Sequence, residues 1–311
     1  MAGPRITVMG SFITDLVFRA DRLPAWGETL FGAGFHLGPG GKGSNQAVAA
    51  ARLGARVAFV SKLGRDAFAE LARRTWAAEG VDARFVSESA DGPTGAATIV
   101  VNERSGDNAI VVVPGAGLQL TVAEVEAARP AIAGAAVFVT QLETPVDTVR
   151  RALRLSRDLG IRTILNPAPA VPLPDDVFPL CDYLTPNESE TAMLVGSRVD
   201  SVADAERAAG LLLQRGAGAV IVTLGAQGAL VRTAAVTRHL PAMDAGRVVD
   251  TTGAGDAFNG GLAVGLAEGR DVVAAARLGC AAAAICVTRP GTAPAMPARA
   301  EVDALLSRSG P

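Results

Sequence analysis

The stretch AVFVTQLETPVDTVRRALRLSRDLGIRTILN, Ala136–Asn166, decides the fold. Ala136–Thr140 is a short β-branched, apolar run that reads as a buried strand, Val146–Leu159 reads as a helix, and Thr163–Asn166 reads as the next strand. The same alternation continues outward. Towards the N-terminus it gives a strand at Ile6–Gly10, helices at Ser44–Leu53, Ala67–Ala78 and Val122–Ala128, and a strand at Val57–Ser61. Towards the C-terminus it gives strands at Asp182–Thr185 and Ala219–Leu224 and a short pair at Ala229–Arg232 and Val236–Leu240. Helices are expected at Glu188–Val195, Val202–Gln214, Ala257–Ala267, Asp271–Ala284 and Glu301–Leu306. This spacing predicts an α/β fold, a mostly parallel sheet covered by helices on both faces. Two hairpins do not fit such a sheet: Leu16–Ala20 with Thr29–His36 around Leu23–Gly27, and Ala96–Val101 with Asn108–Val113 across Glu103–Asp107. They are expected to form a small β lid, drawn from about residues 12–38 and 95–114 of a single domain covering 1–311. Ser307–Pro311 is expected to fray.

The chain has 311 residues, 49% of them apolar, with 29 basic and 31 acidic side chains and a formal charge of −2. That balance excludes disorder and gives no electrostatic reason to expect nucleic acid or an anionic membrane as partner. The ligand is expected to be small. The uncharged run Gly216–Val231, 16 residues with four glycines, is too short and interrupted to span a bilayer. The opening MAGPRITVMGSF lacks the apolar run and cleavage site of a signal peptide, so the expected location is the cytoplasm. Cys181, Cys280 and Cys286 are scattered through apolar surroundings and are read as buried thiols. His36 and His239 are the only histidines, and neither stands beside a nucleophile or at metal-ligand spacing. The catalytic base is therefore expected to be a carboxylate. Lysine occurs only at Lys42 and Lys62, with arginine everywhere else, which makes Lys42 an unusual choice.

Two glycine-rich stretches carry chemistry. In DTTGAGDAF, Asp250–Phe258, the unhindered N–H groups of Gly253, Ala254 and Gly255 at a helix start make an anion site suited to a phosphoryl group. Asp256, at that helix start, reads either as an N-cap or as the acceptor of a proton from an attacking hydroxyl. GPGGKGSNQ, Gly38–Gln46, matches GxGxxG only formally and does not complete a Walker A. It reads as a flexible loop before a helix or as a loop that brings backbone and Lys42 to a hydroxylated substrate, with Asn45 offering both donor and acceptor.

With GGKGSNQAVAAARLGA, QLETP, LNPAPA, TPNESE, VTLGAQGA, DTTGAGDAFNGG and AAAAICVTRPGTAP in order, the chain resembles the PfkB sugar kinases, and within them their ribokinase branch, from Ile6 to about Asp303. The resemblance implies a Rossmann-like sandwich with a β lid over the sugar, and transfer of the γ-phosphoryl of ATP to a sugar hydroxymethyl group, D-ribose first. It implies Asp256 as catalytic base and Gly253, Ala254 and Gly255 as anion hole. Asp15, Gly41, Lys42, Asn45 and Glu143 match the family's sugar contacts. Asn187 and Glu190 match the NxxE element that organises phosphate and hydrated Mg²⁺ or another divalent cation. Thr223, Leu224, Gly225, Ala226, Gln227 and Gly228 match a nucleotide-binding turn, with Gly255 also facing ATP. Asn187 alone would read as a helix N-cap and Glu143 as a loop charge. Asp250, with the carbonyls of Thr252, Cys286, Arg289 and Gly291, matches a K⁺ site whose serine hydroxyl is replaced here by Ala295. At Ile13 the ribokinases carry an asparagine that contacts ribose, and an apolar residue there resembles the deoxyribokinases. A 2-deoxyribose kinase, a nucleoside kinase, a fructokinase and a catalytically silent sugar-binding protein are the alternatives. Open lid edges imply pairing with a second copy.

Overall fold

Ile6, Val8 and Met9 are all buried, on opposite faces of one strand, so the unbroken apolar run forms a central strand. The computed structural model describes residues 3–309. Strand β1 (Arg5–Met9) is followed by β2 (Ile13–Ala20), β3 (Gly34–Gly40), helix α1 (Lys42–Arg52), β4 (Arg56–Leu63), α2 (Ala67–Ala78), β5 (Asp82–Glu88), β6 (Thr94–Asn102) and β7 (Asn108–Gly115). Then come α3 (Val122–Ala127), α4 (Arg129–Ala133), β8 (Val137–Thr140), α5 (Val146–Asp158), β9 (Arg162–Leu165), β10 (Tyr183–Leu184), α6 (Glu188–Val195) and α7 (Val202–Gln214). The chain ends with β11 (Ala219–Thr223), β12 (Ala229–Thr233), β13 (Thr237–Leu240), α8 (Ala254–Ala267), α9 (Val272–Cys286) and α10 (Arg299–Arg308).

Nine strands form one sheet in the order β13-β12-β11-β10-β9-β8-β1-β4-β5, parallel except for β12, which runs antiparallel to both β11 and β13. Successive side chains point to opposite faces and enter two separate cores. Ile164 and Ile221 join the core under α1, α2, α8, α9 and α10, whereas their neighbours Leu165 and Val222 join the one under α3, α4, α5 and α7. Strand order reverses between β1 and β8, and ligands of such sheets bind beyond the carboxyl ends of the strands at that switch point.

The smaller sheet has the order β3-β2-β6-β7. Its central pair β2 and β6 is parallel, and β3 and β7 pair antiparallel outside them. Its root is buried at Ile13 and Ala97, while Phe18, Phe35 and Ile110–Val113 at its far side are exposed.

Four details differ from the sequence reading. Thr29–Ala33 lies in a loop, and β3 runs on to Gly40, straight into α1. β5 and α4 were not anticipated, because the half-buried DARFVSE alternates charge with apolar residues and RPAIA is a single helical turn. Ser307 and Arg308 are helical, and Gly310 and Pro311 lie outside the described residues. All three cysteines are buried and free, and no helix among the described residues is long and apolar enough to cross a membrane.

Candidate active site

Gly41 caps α1 with φ +86°, a left-handed turn in which a Cβ would fall 2.6 Å from the Ile13 nitrogen. Only glycine makes that corner without strain. It places Lys42, Asn45 and Gln46 on the first turns of α1, facing the start of α8. Gly253 caps α8 with φ +80° in the same way. Asp256 then sits in the first turn of α8, 6% exposed, and it does not act as an N-cap. Its Oδ2 accepts a hydrogen bond from Asn45 Nδ2 (2.9 Å) and its Oδ1 one from Gln46 Nε2 (3.0 Å).

These residues border a cavity of about 160 Å³ lined by Lys42, Asn166, Thr185, Asn187, Glu190, Thr223, Gly253, Gly255, Asp256 and Asn259. A larger hollow of about 390 Å³ near Arg150, Arg154 and Asp176 lies on the surface, where the charges pair with one another. Chemistry, not volume, distinguishes the two. The N–H of Ala254 donates to the Thr251 carbonyl at 3.3 Å, so of the three expected anion donors only Gly253 and Gly255 keep an N–H without a protein acceptor among the described residues. A Cβ on Gly255 would meet nothing within 4 Å, which leaves open space in front of the helix start.

Three carboxylates, Asp256, Glu143 and Glu190, act on the Lys42 ammonium, and a fourth, Asp15, is repelled by Glu143 and Asp256. Burial pushes the Asp256 carboxyl up, against the charge of Lys42 and the amides of Asn45 and Gln46. Glu143 is raised by burial too, opposed by Lys42, by the Ser11 hydroxyl and by the Lys42 backbone N–H at 2.9 Å, all of which favour its ionised form. Asp15 rises to about 6, through burial first, against the Thr292 hydroxyl, with Glu143, Asp256 and Asp250 adding repulsion. Glu190 is raised by burial, with Lys42 opposing. Burial disfavours charge on Lys42, but Asp256, Glu143 and Glu190 outweigh it and hold it protonated. Lys42 lines the cavity together with Asn187 and Glu190.

Asn187 is indeed the N-cap of α6. Its Oδ1 accepts from the Glu190 N–H (2.8 Å), and Glu190 Oε2 accepts from the Asn187 N–H (2.9 Å). That reciprocal box fixes both side chains at the cavity wall. Leu224 to Gly228 form a tight turn after β11, with Gly225–Gln227 exposed beyond Thr223. Asp250 stands apart, its two oxygens accepting the N–H groups of Thr252 and Gly291, both at 2.9 Å, and so tying two loops together. Cys286, Arg289 and Gly291 surround that junction and do not line the cavity. Ile13, 3% exposed, lies two residues from Asp15 on the same face of β2 and against Gly95.

Sequence reasoning missed Gln46, Asn166, Thr185, Asn259, Ser11 and Thr292. Asn166 and Thr185 carried a usable signal, since each is a polar residue directly after an apolar run, at the carboxyl end of β9 or β10.

A buried carboxylate next to free N–H groups at a helix start, beyond the carboxyl ends of a parallel sheet, is the arrangement that moves a phosphoryl group onto a hydroxyl. The protein is thus a phosphotransferase with an alcohol acceptor. The pfkB family carbohydrate kinase profile matches residues 4–299, and the chain belongs to that family. A ribokinase of Haemophilus influenzae is 39% identical over 95% of this chain and 96% of its own. A deoxyribokinase of Salmonella typhi is 37% identical over 97% of this chain and 98% of its own. The structure of Arabidopsis thaliana ribokinase complexed with ribose and ATP superimposes with a TM-score of 0.91 at 30% identity, covering 97% of this chain and 98% of that one.

Proposed function

We propose that the protein transfers the γ-phosphoryl of ATP to the primary hydroxyl of a pentose, and that the pentose is D-ribose. One observation carries the reading. Asn45 spends its amide nitrogen on Asp256, and its Oδ1 is buried with no protein partner among the described residues. A buried acceptor without a donor is costly, and a sugar hydroxyl beside the base supplies that donor. Asp15 and Glu143 then accept further hydroxyls, and Glu143 is held for this by Ser11 and the Lys42 N–H. Ribokinase relatives over nearly the whole chain support the same acceptor.

In the reaction, Asp256 accepts the proton of the primary hydroxyl as that oxygen forms its bond to the γ-phosphorus and the bond to ADP breaks. Gly253 and Gly255 donate to the transferring oxygens, with Lys42 neutralising charge nearby. The nucleotide extends along Thr223 and the Leu224–Gly228 turn. Glu190 and Asn187 fit a hydrated divalent cation, because one Glu190 oxygen is tied to its own helix cap and the other has no protein donor among the described residues. These two residues would hold Mg²⁺ through water, and the ion would supply neutralisation of phosphate charge. Asp250 fits a K⁺ ion together with the carbonyls of Thr252, Arg289 and Gly291, none of which accepts a backbone N–H among the described residues, while the Cys286 carbonyl already accepts the Arg289 N–H (3.1 Å) and Ala295 offers no hydroxyl. The smaller sheet closes over the sugar as a lid, and its exposed apolar side pairs with a second copy of the chain. A cytoplasmic setting goes with this chemistry.

A second reading, 2-deoxyribose as acceptor, is favoured by Ile13, which shares a face with Asp15 and can pair with no hydroxyl. The deciding experiment is ATP-dependent ADP release with D-ribose, 2-deoxy-D-ribose, D-fructose and adenosine, each with K⁺ or Na⁺ and with Asp256→Asn as blank. A ribose preference is expected. A preference for 2-deoxyribose replaces it with the second reading, and silence on all four overturns both.

A further inference from the structure

Beneath the cavity lies a chain of side-chain amides that none of the roles above uses. Gln141 Nε2 donates to Gln46 Oε1 (2.6 Å), Gln46 Nε2 donates to Asn166 Oδ1 (3.1 Å) as well as to Asp256, and Asn166 Nδ2 donates to the Thr185 carbonyl (2.9 Å). The Thr185 hydroxyl donates to Asn259 Oδ1 (2.7 Å), whose Nδ2 returns to the Gly255 carbonyl (2.8 Å). Every member is buried. The two ends of this chain are acceptors that cannot reverse, a backbone carbonyl and a carboxylate. Asn166 must therefore turn its nitrogen to Thr185 and its oxygen to Gln46, Gln46 must turn its nitrogen to both Asn166 and Asp256, and Gln141 must turn its nitrogen to Gln46. The amide orientations are fixed by the chain itself.

We propose that Gln46 is a positioning residue of the phosphotransfer reaction: locked by this chain, it presents a permanent donor to Asp256 Oδ1, keeping the carboxylate ionised and aimed at the acceptor hydroxyl. The inference rests on Asp256 being the base. A hydrogen bond to the charged form lowers a carboxyl pKa, so Gln46 offsets part of the burial that raises it. The other groups facing Asp256 are Lys42 and Asn45 of α1, Asp15 of β2, Glu143 after β8, Glu190 of α6 and Cys286 of α9. Lys42 and Asn45 favour its charge and the other carboxylates oppose it.

The test is kcat against pH at saturating ribose and ATP for wild type, Gln46→Met, Gln46→Glu and Gln141→Met, with melting temperatures of each. Gln46→Met removes the donor and should raise the midpoint of the acid limb by about one pH unit, so that kcat below it falls about tenfold while both KM values stay near wild type. Gln46→Glu keeps the shape but adds a carboxyl beside Asp256, so its midpoint should rise further than that of Gln46→Met. Gln141→Met should lower the melting temperature and leave the midpoint in place, because the Gln46–Asp256 bond survives. A purely structural role predicts the opposite ranking, with the near-isosteric Glu milder than Met, and that ranking or unmoved midpoints overturns the proposal. Asp256→Asn separates the two levels. If it keeps turnover, the base assignment falls; if it abolishes turnover while the Gln46 variants keep the wild-type midpoint, only the role of Gln46 falls.

Discussion

Val137–Thr140 in the large sheet and Ile110–Val113 in the small one are similar apolar runs with opposite fates. The first is buried at every position, whereas the second ranges from 46 to 70% exposed. Composition made both into strands. Burial depended on what covers them, and the large sheet has helices on both faces while the small one is buried mainly at its root, at Ile13, Thr14, Thr94 and Ala97. The difference divides the labour. The large sheet can hold Asp256 and its amides in one geometry because its covered faces are close-packed and buried hydrogen bonds from Asn45 and Gln46 fix the carboxylate. The small sheet keeps an uncovered face that can move over a sugar or meet a second copy.

If the rigid half carries the chemistry, the largest effect belongs there. Asp256→Asn should lower kcat about 10³-fold, the usual scale for loss of a general base, with the far-ultraviolet circular dichroism unchanged. A loss below tenfold would move the base elsewhere and break the division.

The large sheet was legible because its strands and helices announce themselves locally: α2, α6 and α7 have the very limits expected from the sequence. Edge elements were not. β5 has no fully buried residue and interleaves half-buried Ala83, Phe85 and Val86 with Asp82, Arg84 and Glu88, and Thr29–Ala33 alternates like a strand but joins β2 only through the Ala33 N–H to the Arg19 carbonyl (2.8 Å) among the described residues. In the site, single residues in glycine-rich loops could be read, but partnerships could not. Gln46 meets Asn166 and Asp256 across 120 and 210 residues of chain, and no local pattern marks which of the five glutamines lies beside a carboxylate. Asn187 shows the reverse case, where the modest expectation of a cap and the chemical one describe the same residue.

Ile13 and Asp15 lie where the two regions meet, so their variants probe the boundary. Ile13→Asn restores a donor and an acceptor toward the sugar and should raise the ratio of kcat/KM for ribose over 2-deoxyribose about ten- to a hundredfold, the worth of one buried hydroxyl no longer left unpaired. An unchanged ratio would mean that Ile13 serves only the packing against Gly95. Asp15 should give about tenfold. With its carboxyl raised from 3.8 to about 6, the ribose KM should climb about tenfold for each pH unit below that value, because the neutral acid is a poorer acceptor. Stability runs the other way. The folded chain holds this proton more tightly than the unfolded one, so the stabilisation from Asp15 is complete below about 3.8 and is lost as pH rises through about 6. Asp15→Asn should therefore raise the melting temperature at pH 8 and not at pH 4, and weaken ribose binding at pH 8 while changing it little at pH 4, where the wild-type carboxyl is already neutral; a flat KM between pH 5 and 8 would place Asp15 outside the sugar contacts.

The smallest effect on folding should come from Val111→Lys, and that is its value. Val111 is 70% exposed on β7, at an open edge of the small sheet, so its replacement removes little packing and should change the unfolding free energy by no more than about 0.5 kcal/mol. A lysine on such an edge opposes strand-to-strand or face-to-face pairing with another copy, because two ammonium groups would meet or lose water together. Sedimentation should show the wild type as a dimer and Val111→Lys as a monomer at the same concentration, with kcat kept within a few-fold if each site is complete in one chain. A variant that stays dimeric with wild-type stability would show that the exposed face serves only the sugar side, and a variant that loses several kcal/mol would show that the small sheet is packed like the large one.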